Sequence, residues 1–340
     1  MHRRQALAMI GAGVLAGCGP HKQDAPGKTD APAKTPTHIR FATDWRAQAE
    51  HGGFYQALAT GEYAKRGLDV EIVQGGPGVN VPQLLASGAV EAGMGSNSFI
   101  LLNLAQERAP VKAVAAFFQK DPQVLLAHPD PALKSIADLK GRPFLLADAS
   151  VTAFWVWLKA KYGFTDSQVR KYNYNLAPFL ADPRAVQQGY LTSEPYTVEK
   201  EAGFKPQVFL LADEGYPSYA AMVMMPERLI ASDPAAAQAF VDGSAAGWDS
   251  YLNGDPAPAN ALILKDNPEM ARDVLNQARA KIKSYALVGE NPGEMTDARW
   301  AEFFGVASAQ GVYPKSMDYR RAYSLQFVTP QPVSGSATTS

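Results

Sequence analysis

The chain holds many residues that can recognise a ligand and few that can react with one. No G-x-S-x-G elbow, H-E-x-x-H pair or G-x-x-x-x-G-K-[ST] loop occurs, so no nucleophile, zinc or phosphate motif is present. The histidines are His2, His21, His38, His51 and His128, and no pair has metal-ligand spacing. Cys18 is the only cysteine, which excludes a disulfide within one molecule and a cysteine metal cluster. No metal or cofactor is therefore expected. The recognition candidates each have a plain structural alternative. The Trp45 indole either stacks on a planar ring or plugs the core. His51 either donates to a ligand atom or caps a helix. Ser96, Asn97 and Ser98 bind ligand or cap the helix they begin. Glu194 precedes Pro195, a first-turn residue, so it either meets a ligand or only complements the helix dipole.

The first residues point to export. His2, Arg3 and Arg4 precede an apolar run from Ala6 to Ala16, a charged region and core of signal-peptide length. That run is too short to span a bilayer as a mature helix. It ends Leu15-Ala16-Gly17-Cys18, which resembles the bacterial lipobox, with Cys18 as the lipid attachment residue. Residues 19–37 are rich in Pro, Ala, Lys, Asp and Thr and read as a disordered tether. Residues 329–340 read as a flexible tail. The formal net charge is −1, which gives no footprint for nucleic acid.

The body between reads as alternating strands and helices. Strands are expected at 39–43, 68–73, 90–95 and 112–118, with helices at 52–66, 81–87 and 99–107 between them. A second unit follows, with strands at 124–127, 143–147 and 208–211 and helices at 153–162 and 195–202. Residues 219–225 read as a returning strand. Residues 226–310 read as mainly helical, with Asp233-Pro234, Asn267-Pro268 and Thr296-Asp297 as helix starts. The β-α-β order predicts an α/β fold with largely parallel sheets.

Four segments in this order resemble the periplasmic-binding-protein type II superfamily. Within it they resemble the branch that binds thiamine pyrimidine precursors, nitrate, sulfonates and taurine. They are Asp44-Trp45 with His51-Gly52-Gly53-Phe54-Tyr55; Gly61-Glu62-Tyr63 through Gly67-Leu68-Asp69-Val70; Leu84-Leu85-Ala86-Ser87-Gly88 through Gly93; and Ser135-Ile136-Ala137-Asp138-Leu139-Lys140-Gly141. Trp45 and His51 resemble the pyrimidine-precursor subgroup most, although the asparagines of its W-x-P-N-x-N-H pattern are absent here. The resemblance implies two lobes joined by two hinge crossings, near 118–120 and 216–220. Lobe one is then 38–118 with 220–328, and lobe two is 119–219. It implies an extracytoplasmic solute-binding lipoprotein, not an enzyme, that is a monomer, binds a small molecule and meets an ABC importer permease. The pyrimidine synthases on this fold carry a cysteine-rich motif that a chain with Cys18 alone lacks.

Ligands in such sheets meet the carboxyl ends of strands, where helix N-termini expose N–H groups. That nominates Asp44, Trp45 and His51; Ser96, Asn97 and Ser98; Ser150 and Thr152; and Tyr190 and Glu194. Gly76 and Gly78 either admit close backbone approach or form a turn. Phe117 and Trp155 are further aromatic candidates; Trp155 and Trp157 cannot share a helix face, so at most one lines the cleft. A carboxylate such as Glu194 can accept two hydrogen bonds from an aminopyrimidine edge and repels an anion. The expected ligand is a pyrimidine-like thiamine precursor or related heterocycle, with a sulfonate, taurine or nitrate as the alternative.

Overall fold

The computed structural model describes residues 35–328. The expected leader with Cys18, residues 19–34 of the expected tether and the expected tail from 329 lie outside the described residues; Thr37, the end of that expected tether, begins the first strand. The body is α/β and carries two sheets. Its strands are β1 Thr37–Ala42, β2 Leu68–Val73, β3 Ala92–Gly95, β4 Val111–Phe118, β5 Gln123–Ala127, β6 Phe144–Leu146, β7 Val169–Lys171, β8 Val186–Tyr190, β9 Gln207–Leu210, β10 Ala220–Pro226 and β11 Val288–Gly293. The first sheet runs β11-β4-β10-β3-β1-β2 and the second β7-β6-β8-β5-β9.

In the first sheet, β1 pairs in parallel with β2 and β3, while β10 runs antiparallel between β3 and β4. In the second, β6 pairs in parallel with β7 and β8, and β5 runs antiparallel to β8 and β9. The chain passes between sheets from β4 to β5 and again from β9 to β10. These are the two crossings of a two-lobed fold. Both apolar clusters draw buried residues from both sheets, and the lobes touch directly where the Thr192 hydroxyl donates to Glu50 and Tyr174 lies against Trp45.

Local chemistry fixes the elements that lead to the interlobe space. Gly67, at φ +77, ends the short 3-10 turn Ala64–Arg66 and turns the chain into β2. The helix Gly52–Ala59 starts with two glycines because the helix Pro234–Asn253 lies against it. A Cβ on Gly53 would fall 2.2 Å from the Trp248 ring, and one on Gly247 would fall 2.1 Å from the Gly53 carbonyl oxygen. Trp248 is fully buried beside Phe54, Phe118 and Tyr251.

Several elements differ from the sequence reading. The helix expected over 52–66 stops at Ala59, because the Thr60 hydroxyl bonds back to the Gln56 carbonyl and Gly61 turns left-handed. The helical region 226–310 contains β11, where glycine and proline remove helix propensity. Asn267-Pro268 does not start a helix. Asn267 follows the helix Ala257–Asp266, and its buried amide donates to the Ala47 carbonyl at 2.9 Å. The next helix is Arg272–Ser284.

Candidate functional site

Residues just after β1 and β8 meet across the lobes, where the Thr192 hydroxyl donates to Glu50 and Tyr190 lies in the field of Asp44. After β1 the chain turns through Thr43, Asp44 and Trp45. The Thr43 hydroxyl donates to the Trp45 carbonyl at 2.8 Å and accepts the Gly75 N–H at 3.0 Å. A Cβ on Gly75 would fall 2.3 Å from the Thr43 carbonyl oxygen, so close backbone approach occurs there. Gly76 and Gly78 take the other reading offered for them, a turn: Gly76 is partly exposed beside Arg46, and Gly78, at φ +86, is exposed with nothing near a Cβ. Gln74 and Asn267 bind the main chain of Ala47, so the Trp45 loop is held from both sides.

The short 3-10 turn Ala49–His51 follows. His51 is fully buried; its Nε2 lies 3.3 Å from Asp44 Oδ1, and its Nδ1 has no protein partner. Glu50 is also buried and accepts a hydrogen bond from the Thr192 hydroxyl of the other lobe. Burial pushes the Glu50 carboxyl up, against the opposing Thr192 bond.

On the second lobe, Glu194 opens the helix Glu194–Ala202 and accepts the Tyr190 N–H at 2.7 Å. Burial pushes its carboxyl up to about 7, with Glu50 adding repulsion. The half-buried Tyr190 has its phenol held protonated well above the usual range, first by burial and then by Asp121, Asp44 and Glu50. The Tyr172 phenol is raised by burial and by Glu194. Tyr174, at φ +58, sets its ring 4.7 Å from Trp45 across the lobes. A left-handed tyrosine backbone persists only where neighbours hold it. The helix Arg272–Ser284 seats the end of β8: Lys281 donates to the Leu191 carbonyl at 3.0 Å and Gln277 to that of Thr192 at 2.5 Å.

The structure thus gathers Asp44, Trp45, His51, Tyr190 and Glu194 at one interlobe locus. It places other expected residues elsewhere. Phe117 is core, edge-on to Phe54 and stacked with Trp248. Trp155 is fully buried under the second sheet against Phe144 and Phe164, its indole N–H on Asp166 at 2.9 Å. Ser98 is fully buried and bonds the second crossing: its hydroxyl accepts the Tyr219 N–H and its own N–H donates to Ser218. Asn97 caps its helix through the Phe99 N–H, beside the half-buried Ser96. Thr152 is exposed and bonds the Ala149 carbonyl, while Ser150 is nearly buried in the same turn.

Sequence reasoning passed over Glu50, Thr192, Tyr172 and Tyr174. Each had a signal: Glu50 adjoins His51, Thr192 lies two residues before Glu194, and Tyr172 and Tyr174 follow a strand end. Chemically, this locus offers aromatic faces and carboxylate acceptors, with His51 among them. Among the described residues, no group of three or more His, Cys, Asp or Glu could hold a metal ion.

Two sheets joined by two chain crossings define the periplasmic-binding-protein fold. An Escherichia coli periplasmic aliphatic sulphonate binding protein superposes with a TM-score of 0.63 at 15% identity, over 85% of this chain and 92% of that one. A Bordetella bronchiseptica structure gives 0.65 at 18% identity, over 86% of this chain and 96% of that one. The chain belongs to the family described as NMT1/THI5 like, whose sequence profile matches residues 48–261. A Haemophilus influenzae protein named for thiamine biosynthesis is 23% identical over 289 residues, covering 82% of this chain and 89% of that protein.

Proposed function

We propose that this protein is an extracytoplasmic solute-binding protein that captures a planar, amino-bearing heterocycle of the aminopyrimidine type and presents it to an ABC importer. One observation carries the reading: Trp45 and Tyr174 meet across the lobes, with Glu194 near Tyr174 and Asp44 and Glu50 near Tyr190. Such a site stacks a flat ring and accepts hydrogen bonds from its amino groups. The unpartnered Nδ1 of buried His51 supports it, since a buried polar atom without a partner is costly unless a ligand fills the role. The Haemophilus relative, named for thiamine biosynthesis, supports the ring chemistry. The sulphonate-binding neighbour supports the alternative of an oxyanion, which Glu50 and Glu194 oppose whenever they are ionised.

Entry requires the lobes to part, and closure then encloses the ligand, giving a permease two distinguishable shapes. The N-terminal pattern around Cys18 supports a lipid anchor on the extracytoplasmic side. The test is a thermal-shift panel of aminopyrimidines, taurine, alkanesulfonates and nitrate. An upward shift with aminopyrimidines alone is expected. A shift with sulfonates or nitrate and none with the rings refutes the assignment.

A further inference from the structure

The strongest feature outside the ligand site lies at the hinge. The first crossing runs from Gln119 to Pro122 and the second from Leu211 to Tyr219, between the flanking strands. Arg299, near the start of the helix Asp297–Ala309, reaches both. Its Nη2 donates to the Gln119 carbonyl of the first crossing. The same nitrogen donates to the Ser218 carbonyl of the second at 3.1 Å, and Nε donates to that of Pro217 at 3.2 Å. The guanidinium also lies over the Tyr219 ring, 4.4 Å from its centroid.

The surroundings lock this fork in place. The Tyr219 hydroxyl accepts the Thr296 N–H at 3.0 Å, so the helix that carries Arg299 is tied to the second crossing at its own start. Ser218 and Tyr219 bond Ser98 of the first lobe reciprocally, at 3.1 and 3.0 Å. Asp121 is buried on the first crossing, where its carboxylate accepts the Gln123 N–H at 3.0 Å and lies in the field of Arg299. Immediately beyond the second crossing, Ala221 is held at φ +46, a left-handed conformation that a non-glycine residue keeps only where its neighbours dictate it.

A fork anchored on two backbone segments links their torsions. If either crossing rotates alone, at least one of the three carbonyl bonds breaks. We propose that Arg299 is the buckle of the hinge. It holds both crossings in the geometry of closed lobes and so biases the open–closed equilibrium from outside the ligand site. It is a positioning residue and touches none of the groups that face the ligand. A lysine keeps the charge but lacks the planar fork, so it satisfies fewer of the three carbonyls.

The experiment reads interlobe distance by pulsed electron paramagnetic resonance without added ligand. Spin labels go on Lys65→Cys in the first lobe and Lys205→Cys in the second, in a full chain carrying Cys18→Ser. Both lysines are exposed. Arg299→Met is expected to add a longer-distance population, and Arg299→Lys a smaller one. If Arg299→Met does not fold, Arg299→Lys decides on the same readout. Folded variants whose distance distributions superimpose on that of the parent chain overturn the proposal. A lowered melting temperature with an unchanged distribution also overturns it, by assigning Arg299 to packing alone.

Discussion

Glu194→Gln should make the protein more stable at alkaline pH and leave it unchanged in acid. Burial moves the Glu194 midpoint from 4.5 to about 7. Each pH unit of such a displacement is worth roughly 1.4 kcal/mol, so the charged form is opposed by on the order of 3 kcal/mol. The carboxylate is half-buried at the cleft, and solvent there reduces the figure to about 1–3 kcal/mol. The sign follows from linkage. Between pH 4.5 and 7 the folded chain binds this proton more tightly than the unfolded chain. The stabilising contribution is therefore complete below 4.5 and is lost as pH rises through about 7. Glutamine keeps an acceptor for the Tyr190 N–H and cannot ionise. At pH 8 the variant should melt several degrees higher, at roughly 2 °C per kcal/mol for a chain of this size. At pH 4.5 the two should coincide. Differential scanning calorimetry at both values measures the difference. An equal shift at both pH values, or a variant that melts lower at pH 8, refutes the reasoning. The same variant should lose affinity for an aminopyrimidine if that carboxylate receives the ring.

Gly53→Ala places a methyl inside the Trp248 ring contact and should cost about 1–3 kcal/mol or more, read as a lower urea midpoint. Thr192→Val leaves the buried Glu50 carboxylate without its cross-lobe donor; a loss of about 1–3 kcal/mol is expected in chemical denaturation, larger at pH 8 than at pH 5. His51→Phe should retain the fold yet weaken ligand binding about tenfold or more in calorimetric titration, because it removes Nδ1 and the Asp44 contact together.

The strand ends were legible in the sequence because their signals are local. Alternation over Leu68–Val73 and the apolar run ending at Asp44-Trp45 need only period-two patterning to be read. Side-chain direction on doubly covered elements was not legible. Phe117 lies on a strand buried on both faces, and Trp155 on a helix wedged between sheet and loop, so composition could not separate cleft from core. The strand β8, which delivers Tyr190 and Thr192, was hidden by Gln187-Gln188-Gly189. Those polar residues are buried only because the sheet encloses them; Gln188, for example, accepts the Ala147 N–H at 2.6 Å. The family motifs gave the class early. The meeting of Glu50 with Thr192 depends on two distant segments and could come only from three dimensions.

The position of β10 has a consequence for how the chain assembles. The second sheet is built from one continuous stretch, β5 to β9, and every strand it needs has left the ribosome before β10. The first sheet is different. Until Ala220–Pro226 arrives, β3 and β4 have no strand between them and each presents an open edge. β1, β2 and β3 can pair early, but β3 and β4 wait for a segment more than a hundred residues downstream of β4. Long-range closure of this kind slows folding. It lets the second lobe mature first while the first lobe stays incomplete, and a chain cut before β10 would lack β11 too, leaving β4 without a neighbour on either side and β3 open on one.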